Sequence, residues 1–126
     1  EAPRIFAADI ETGACAKLAA AIADGELSDA VRVEVGDFFE ARGERYANGP
    51  GLVVINPPYG VRLGSRRQAE DLFDALCTHL VRHFKGWRVA LIAPTEALAR
   101  RVPFARRSVP LPHGGLKPVL TMGRIP

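Results

Sequence analysis

A short apolar run that ends in two consecutive prolines restricts the fold of this chain more than any other feature. The run, residues 52–55, is rich in β-branched side chains and follows the turn formers 48–51, a pattern typical of a buried strand. The dipeptide Pro57–Pro58 fixes φ twice, removes two backbone donors and favours extended geometry before each proline. Asn56 is therefore predicted at the carboxyl end of a buried strand on a stiff support, with Tyr59 close behind. A rigid amide beside a flat ring suits the binding of a planar group that carries an NH2. The alternative reading is a turn that merely ends a strand.

Strand-like and helix-like segments alternate along the 126 residues. Apolar and β-branched runs between turn formers predict strands at 4–9, 31–35, 52–56, 87–93, 104–111 and 116–125. The last two are expected to form a hairpin whose turn contains His113, Gly114 and Gly115. This alternation predicts an α/β sheet that is mostly parallel and has an antiparallel C-terminal hairpin.

The segment after the first strand has the apolar spacing of an amphipathic helix. Thr12 is expected to cap this helix, which ends at Gly25. Its apolar face is predicted to contain Ala14, Leu18, Ala21 and Ile22. A short helical turn is predicted at 38–43.

A second and longer helix is predicted at residues 66–84, where Gly86 stops it. Its apolar stripe is predicted to contain Leu72, Phe73, Leu76, Leu80, Val81 and Phe84. Pro94 is expected to open a short helix at its first position, and that helix is expected to run to about Arg101.

Composition indicates one globular domain, because 48% of the residues are apolar and 25% are charged. No apolar run approaches the roughly 20 residues of a membrane span, and no signal peptide pattern is present, so no membrane partner is expected. Cys15 and Cys77 fall in predicted helices without a pairing pattern, which indicates reduced thiols and an intracellular protein. The three histidines are scattered, so no metal site is expected.

Arginine supplies most of the positive charge in a chain of net charge +3. The first group, Arg62, Arg66 and Arg67, follows the Asn-Pro-Pro-Tyr string closely, which favours a role in nucleic-acid docking. A second group consists of Arg100, Arg101, Arg106 and Arg107. For this second group, phosphate binding and ordinary solvated surface remain equally good readings.

The tetrapeptide Asn56-Pro57-Pro58-Tyr59 behind a predicted strand resembles motif IV of the S-adenosylmethionine-dependent amino-methyltransferases, which modify exocyclic nitrogens. The longer string at 53–64, VVINPPYGVRLG, is similar to that of the guanine-N2 RNA methyltransferases that carry a THUMP domain. Val61 stands where that family usually has Glu. Residues 84–88, FKGWR, resemble the family's F-x-G-W segment, and residues 111–116, LPHGGL, resemble its L-x-N-G-x-L segment. The resemblance spans essentially the whole chain.

The resemblance implies a Rossmann-like class I methyltransferase sheet with strand order 3-2-1-4-5-7-6. Matching positions assigns strands 2 to 5 to the first four predicted strands, and strands 6 and 7 to the terminal hairpin. Strand 1 and the Gly-rich loop that follows it have no counterpart here. Residues 1–126 are therefore expected to be the C-terminal portion of a methyltransferase catalytic domain, from strand 2 to strand 7.

The missing first strand has consequences, because it would lie between strands 2 and 4. These two strands are expected to have unpaired edges, which favour association. We expect residues 1–126 alone to bind S-adenosylmethionine poorly and to have little or no methyl transfer activity. Near-normal cofactor affinity by calorimetry would contradict this expectation.

Three strand ends carry polar side chains where ligands of open α/β sheets bind. Asp9 is expected to accept hydrogen bonds from ribose hydroxyls, and Ile10 to cover one face of adenine. The resemblance implies that Asp37 accepts from the adenine N6 amine, helped by Phe38. It further places Asn56 in both the cofactor and the catalytic site.

The implied catalytic residues are Asn56, Pro57, Pro58 and Tyr59. Asn56 and the Pro57 carbonyl are expected to accept hydrogen bonds from the exocyclic amine of the target base, while Tyr59 stacks on the base. The expected reaction is methyl transfer from S-adenosylmethionine, with guanine N2 in rRNA or tRNA favoured. The alternatives are an N6-adenine DNA methyltransferase and a non-catalytic nucleic-acid-binding fragment. An RNA partner, an upstream THUMP domain and a cytoplasmic location are also expected.

Overall fold

The computed structural model describes residues 4–58, 65–104, 106–112 and 117–126. It divides into two units, Glu1–Arg42 and Gly43–Pro126, which are taken in turn. Within the described residues, no helix has the length and apolar character needed to cross a membrane.

The first unit is a β-α-β arrangement of β1 (Ile5–Asp9), α1 (Thr12–Asp24) and β2 (Val31–Val35). The two strands are parallel, with Ile5 opposite Val31 and Asp9 opposite Val35. A single 3-10 turn, Phe38–Glu40, follows β2 and confirms the short helical turn predicted there. Both strands fall where the sequence places them.

The buried face of α1 differs from the predicted one. Ile22 is buried as expected, but the second buried residue is Cys15, whereas Leu18 is 41% exposed. Ala14 and Ala21 are exposed as well. The cap position is Glu11, which makes no side-chain cap bond, and Thr12 is the first helical residue. The predictions for Thr12 and for most of the apolar face were therefore wrong, because small alanines carry little information about which side faces the core.

The described residues of the second unit form a four-stranded sheet and three helices. Its elements are α2 (Gly43–Tyr46), β3 (Leu52–Ile55), α3 (Arg66–His83), β4 (Arg88–Ala93), α4 (Glu96–Ala99), β5 (Arg106–Pro110) and β6 (Val119–Arg124). The strand order is β3-β4-β6-β5. β3 and β4 are parallel, and β6 is antiparallel to both β4 and β5. The predicted antiparallel terminal pair is thus confirmed, while its turn residues lie outside the described part.

The core of this unit is formed by one side of α3 and by alternate residues of β4 and β6. Its buried side chains include Phe73, Leu76, Cys77, His79, Leu80, Val89, Leu91, Ala93, Val119 and Thr121. Most of the predicted stripe on α3 is confirmed, but Val81 is 37% exposed and Cys77 and His79 are buried instead. Gly86 has a φ of +82°, a left-handed conformation that glycine adopts without strain after a helix.

The start of α4 was predicted incorrectly. Thr95 is its cap, and its hydroxyl oxygen accepts a hydrogen bond from the Leu98 amide at 3.2 Å. Pro94 therefore precedes the helix and does not open it. A threonine cap satisfies one of the amides that the first turn leaves free, and this local bond outweighs the preference of proline for the first helical position.

Within each unit, the strand order agrees with the corresponding part of the expected order. The order β2-β1 corresponds to strands 3-2, and β3-β4-β6-β5 corresponds to 4-5-7-6. β3 was predicted as buried, yet Leu52 and Val54 are 53% and 70% exposed. Leu52 and Val54 are two residues apart and so lie on one face of β3, and no other element covers that face within the described residues.

Candidate functional site

The carboxyl end of β3 presents Asn56 to solvent on a buried support. Asn56 is exposed, Pro57 is buried and Pro58 is exposed. Because β3 and β4 are parallel, the residues after both strands lie at the same edge of the sheet. This edge is where ligands bind in open α/β sheets. The buried proline anchors the backbone next to Asn56, while the Asn56 side chain stays accessible to a ligand.

The carboxyl ends of β1 and β2 bring two carboxylates to one edge of the first unit. The Gly36 amide donates to the Asp9 carbonyl at 3.0 Å, which holds the two strand ends together just before Asp37. Asp9 Oδ1 accepts from the Glu11 amide at 2.9 Å, and Asp37 Oδ1 accepts from the Phe39 amide at 2.9 Å. A backbone amide thus holds one oxygen of each carboxylate and orients the group.

This geometry is compatible with two roles for the aspartates, the formation of a local turn and the binding of a ligand. An Asp whose Oδ1 fixes a local turn keeps Oδ2 available as an acceptor, since a carboxylate has about four lone-pair positions. Both residues are exposed, so a ligand hydroxyl or amine can reach them. The unit can therefore offer two oriented acceptors at one edge.

Apolar side chains flank these two acceptors. Ile10 follows Asp9 directly and is 68% exposed. Phe38 follows Asp37, is half-buried, and packs edge-to-face on Phe39 with ring centroids 5.7 Å apart. Such surfaces suit the flat faces of a heterocycle next to its polar edge.

The arginines near the predicted site are unequal in their contacts. Arg66 Nε lies 3.3 Å from Glu70 Oε1 across one helical turn. Arg67 is exposed, and no ion pair is recorded for it within the described residues. Arg62 and Tyr59 lie outside those residues. Arg67 is therefore the described member of the first group that is best placed to contact a phosphate.

The second arginine group separates into two kinds. Arg101 forms ion pairs with Asp74 and with Glu70, the latter at 3.8 Å, and Arg100 pairs with Glu96 at 3.0 Å. The charges of Arg100 and Arg101 are therefore compensated by carboxylates of the same chain. Arg106 and Arg107 on β5 are exposed and have no acidic partner among the described residues.

Two further features were not singled out from the sequence. Arg88 and Arg124 lie opposite each other in β4 and β6. Burial, with a smaller contribution from the Asp74 charge, raises the pKa of the Cys77 thiol to about 11. The predicted strands contained both arginines, but only the register shows that they meet.

In the described part of the chain, no cluster of three or more possible metal ligands occurs.

Comparisons with known proteins identify similar chains of greater length. The ribosomal RNA large subunit methyltransferase K/L of Marinomonas sp. (strain MWYL1) is 30% identical over 92 residues, which are 72% of this chain and 13% of that protein. The protein of the same name from Chromohalobacter salexigens is 43% identical over 54 residues, 43% of this chain and 7% of that protein. The chain thus spans only a small part of the curated relatives that it matches.

Solved structures share the fold. A possible methylase from Clostridium difficile 630 superposes with a TM-score of 0.82 at 23% identity, covering 100% of this chain and 33% of that one. SMU.472, a candidate methyltransferase complexed with SAH, superposes with a TM-score of 0.77 at 18% identity, covering 94% of this chain and 30% of that one. The α/β sheet of this chain is therefore a class I methyltransferase sheet, as expected.

A model of one protein family matches most of the chain. The match covers residues 1–109 and therefore includes both aspartates, the Asn-Pro-Pro-Tyr string and the parallel strands that carry them. On this match, together with the strand order of its two sheets, the chain belongs to the family of RMKL-like methyltransferase domains.

Proposed function

We propose that this chain is part of an S-adenosylmethionine-dependent ribosomal RNA methyltransferase that modifies an exocyclic amine, with guanine N2 as the target. The observation that carries the proposal is the exposed Asn56 amide directly after β3, seated on buried Pro57, in a chain that the methyltransferase family model matches. The relatives are named ribosomal RNA large subunit methyltransferases, which favours RNA over DNA as the substrate.

In this proposal, residues 1–126 are the C-terminal portion of the catalytic domain, from its second to its seventh strand. The support is the strand order within each sheet, since β2-β1 and β3-β4-β6-β5 correspond to the segments 3-2 and 4-5-7-6 of the class I order. Within the described residues β3 pairs with β4 alone, so its other edge can accept a further strand.

S-adenosylmethionine is proposed as the cofactor because SMU.472, which shares the fold, is complexed with SAH. When bound, it supplies a methyl group on a positively charged sulfur. The Asp9 carboxylate would accept from the ribose hydroxyls, and the Asp37 carboxylate would accept from the adenine N6 amine. Ile10 and Phe38 would cover the adenine faces. The two oriented carboxylates and their apolar neighbours support these roles.

The proposed catalytic role of Asn56 is to align a weak nucleophile. The lone pair of an exocyclic amine is delocalised into the base, so the nitrogen is planar and attacks poorly. The Asn56 side-chain oxygen and the Pro57 carbonyl would accept hydrogen bonds from its two N–H groups and favour a pyramidal nitrogen whose lone pair points at the methyl group. Pro58 stiffens the support, and Tyr59 would stack on a base that has been turned out of its helix.

RNA is proposed to reach this edge along Arg62, Arg66 and Arg67. Exposed Arg67 supports the idea most directly, while Arg66 would have to exchange Glu70 for a phosphate. An upstream THUMP domain and a cytoplasmic location complete the proposal and rest on the family resemblance.

The test is Asn56→Ala in the full-length protein, with Asn48→Ala as a matched control. Asn48 is the only other asparagine and lies exposed in a loop before β3. We expect Asn56→Ala to lower transfer of tritiated methyl groups to large-subunit ribosomal RNA by at least about 100-fold, as for loss of a transition-state hydrogen bond. Cofactor binding should survive, with a loss of affinity by calorimetry that is far smaller than the loss of turnover.

Asn48→Ala should leave both quantities near their normal values. Turnover of Asn56→Ala within a few-fold of the normal rate would show that the proposed role of Asn56 is wrong. Mass spectrometry of the nucleosides then identifies the product: methylation at guanine N2 supports the proposal, whereas methylation at adenine N6 contradicts its choice of base.

A further inference from the structure

Two arginines face each other across the inner strands of the four-stranded sheet. Arg88 begins β4, and Arg124 ends β6, where the antiparallel register places them directly opposite. Directly opposed residues project from the same face, with Cβ atoms about 4.5–5.5 Å apart. Both side chains are exposed. Two like charges therefore lie side by side at this end of the sheet.

A third arginine shares that face. Arg107 on β5 is opposite Met122, which precedes Arg124 by two residues in β6. Because side chains alternate along a strand, Met122 and Arg124 lie on one face, and Arg107 lies with them. The diagonal between Arg107 and Arg124 corresponds to about 7–8 Å. Arg88, Arg107 and Arg124 together are named the arginine triplet.

The arginine triplet has no acidic partner among the described residues. The single side-chain hydrogen bond recorded for it among the described residues runs from Arg124 Nη1 to the Gly86 carbonyl at 3.5 Å. By contrast, Arg66, Arg100 and Arg101 each lie within ion-pair distance of a carboxylate. The charges of the triplet are thus available to an external anion.

Protection of a sheet edge does not explain the pair Arg88 and Arg124. Charged residues on edge strands prevent sheets from adding further strands, and this function fits Arg107 on β5. However, β4 and β6 are both flanked by other strands. Like charges placed directly opposite each other destabilise a sheet slightly, so the stability of the sheet does not explain their pairing either.

The triplet is well separated from the proposed reaction centre. Arg88 is level with Leu52, and Asn56 follows Leu52 by four residues along the parallel neighbour strand. At about 3.3 Å per residue, this corresponds to about 13 Å along the sheet. A nucleic-acid backbone that reaches both places would span several nucleotides.

We propose that the arginine triplet is a docking surface for the phosphates of the RNA substrate, distinct from the edge where the methyl group is transferred. The inference rests on the proposed function, because it takes RNA as the substrate. Three exposed guanidinium groups on one sheet face complement a chain of phosphates, which arginine binds with two parallel hydrogen bonds. The surface contributes affinity and register but no base selection.

The test compares Arg88→Gln/Arg124→Gln with the control Arg32→Gln/Arg82→Gln in the full-length protein. The control removes the same charge at two exposed positions with no recorded ion pair among the described residues. The probe is a fluorescein-labelled oligouridylate of 20 nucleotides, titrated at several salt concentrations. Loss of two phosphate contacts should reduce the slope of log affinity against log salt by about 1.4, because each contact to a single strand contributes about 0.7.

We expect the slope to change little in the control and to be largely restored in Arg88→Lys/Arg124→Lys. Without RNA, the thermal midpoint of the Gln variant should be equal to or above normal, because repulsion has been removed. Equal slopes in the Gln variant and the control would overturn the proposal. So would a clear fall in the midpoint with unchanged RNA binding, which would indicate acidic partners within the protein itself.

Failure of this proposal can be told apart from failure of the proposed function. If the Gln variant binds oligouridylate normally while Asn56→Ala loses methyl transfer, only the docking surface is wrong. If the unaltered protein neither binds RNA nor methylates it, both proposals are wrong.

Discussion

Cys77 is a buried thiol whose ionisation state bears on stability. Its side chain lies on α3 and is 4% exposed. Burial first, and then the negative charge of Asp74, raise the pKa of the thiol from its ordinary 9.0 to about 11. Because the folded state disfavours the thiolate, the neutral thiol contributes stability that is complete below pH 9 and is lost as the pH rises through 11.

We therefore expect the free energy of unfolding to fall between pH 9 and pH 11 by on the order of 2 kcal/mol through this group alone. Urea unfolding at pH 8, 9.5 and 11 measures it, with Cys77→Ala as the reference. The variant lacks the titrating thiol, so its stability should fall less over the same range. Parallel curves for the two proteins would show that Cys77 does not contribute.

At the scale of single residues, sequence reasoning located the polar strand ends but not their local bonds. Asp9, Asp37 and Asn56 each follow a strand, as predicted, because strand ends are marked by a change from apolar to polar residues. The turn hydrogen bonds of both aspartates depend on backbone geometry that residue types alone do not specify. The meeting of Arg88 and Arg124 depends on register in the same way.

At the scale of elements, Trp87 controls how the chain enters β3 and β4. Its indole ring lies against Gly51, where an added Cβ would be 2.9 Å from Cζ3, and against Gly43, where it would be 2.7 Å from Nε1. The Arg88 amide donates to the Gly51 carbonyl at 2.9 Å, so the same close approach begins the pairing of the two strands. These glycines are required because the ring leaves no room for a side chain.

Gly51→Ala is expected to destabilise the protein by about 1–3 kcal/mol, because the ring or the strand must move to accept the methyl group. Gly49→Ala is the control, since nothing lies within 4 Å of a Cβ added at that position. It should change stability by no more than about 0.5 kcal/mol. Chemical denaturation of both variants provides the comparison, and equal effects would contradict the proposed packing role of Trp87.

Helices with large apolar side chains at regular helical spacing were predicted well. Features that depend on a helix cap, or on the elements that pack against a face, were not. α3 was found at Arg66–His83 because its buried residues include large side chains such as Phe73 and Leu80 at helical spacing. Six of the 13 residues of α1 are alanines, so its buried face was misassigned to Leu18 in place of Cys15. The exposure of Val54 on β3 depends on what packs against that face of the sheet, and residues 52–55 alone do not specify it.

At the scale of the whole molecule, the alternation of strands and helices was sufficient for the α/β class but not for the order of the strands. The order of parallel strands depends on contacts between residues far apart in the chain. Amino-acid composition and hydrophobic periodicity carry no information about these contacts. The order 3-2 and 4-5-7-6 came from the family resemblance, and the two sheets agree with it. Sequence physics and resemblance therefore contributed different parts of the prediction.

The two units differ in how much apolar surface they bury, and this difference leads to a prediction about their stability. In the described part of Glu1–Arg42, the buried apolar side chains are Cys15 and Ile22, whereas the remaining core residues belong to Gly43–Pro126. A unit with so small a core opens at low free energy, because little hydrophobic stabilisation opposes its chain entropy. The amides of β1 and β2 should therefore exchange with solvent through local opening.

Hydrogen exchange on the polypeptide of residues 1–126 measures this difference. The amides of Val89 and Leu91, on a strand that pairs on both sides, should require nearly global unfolding to exchange. Those of Ala7 in β1 and Val33 in β2 should exchange at least about 100-fold faster, because opening them costs several kcal/mol less. Low concentrations of urea should accelerate exchange mainly for the amides of the second unit. These amides exchange through global unfolding, which exposes more surface and therefore depends more steeply on urea. Equal protection in both sheets, with the same dependence on urea, would mean that the chain unfolds as one cooperative body.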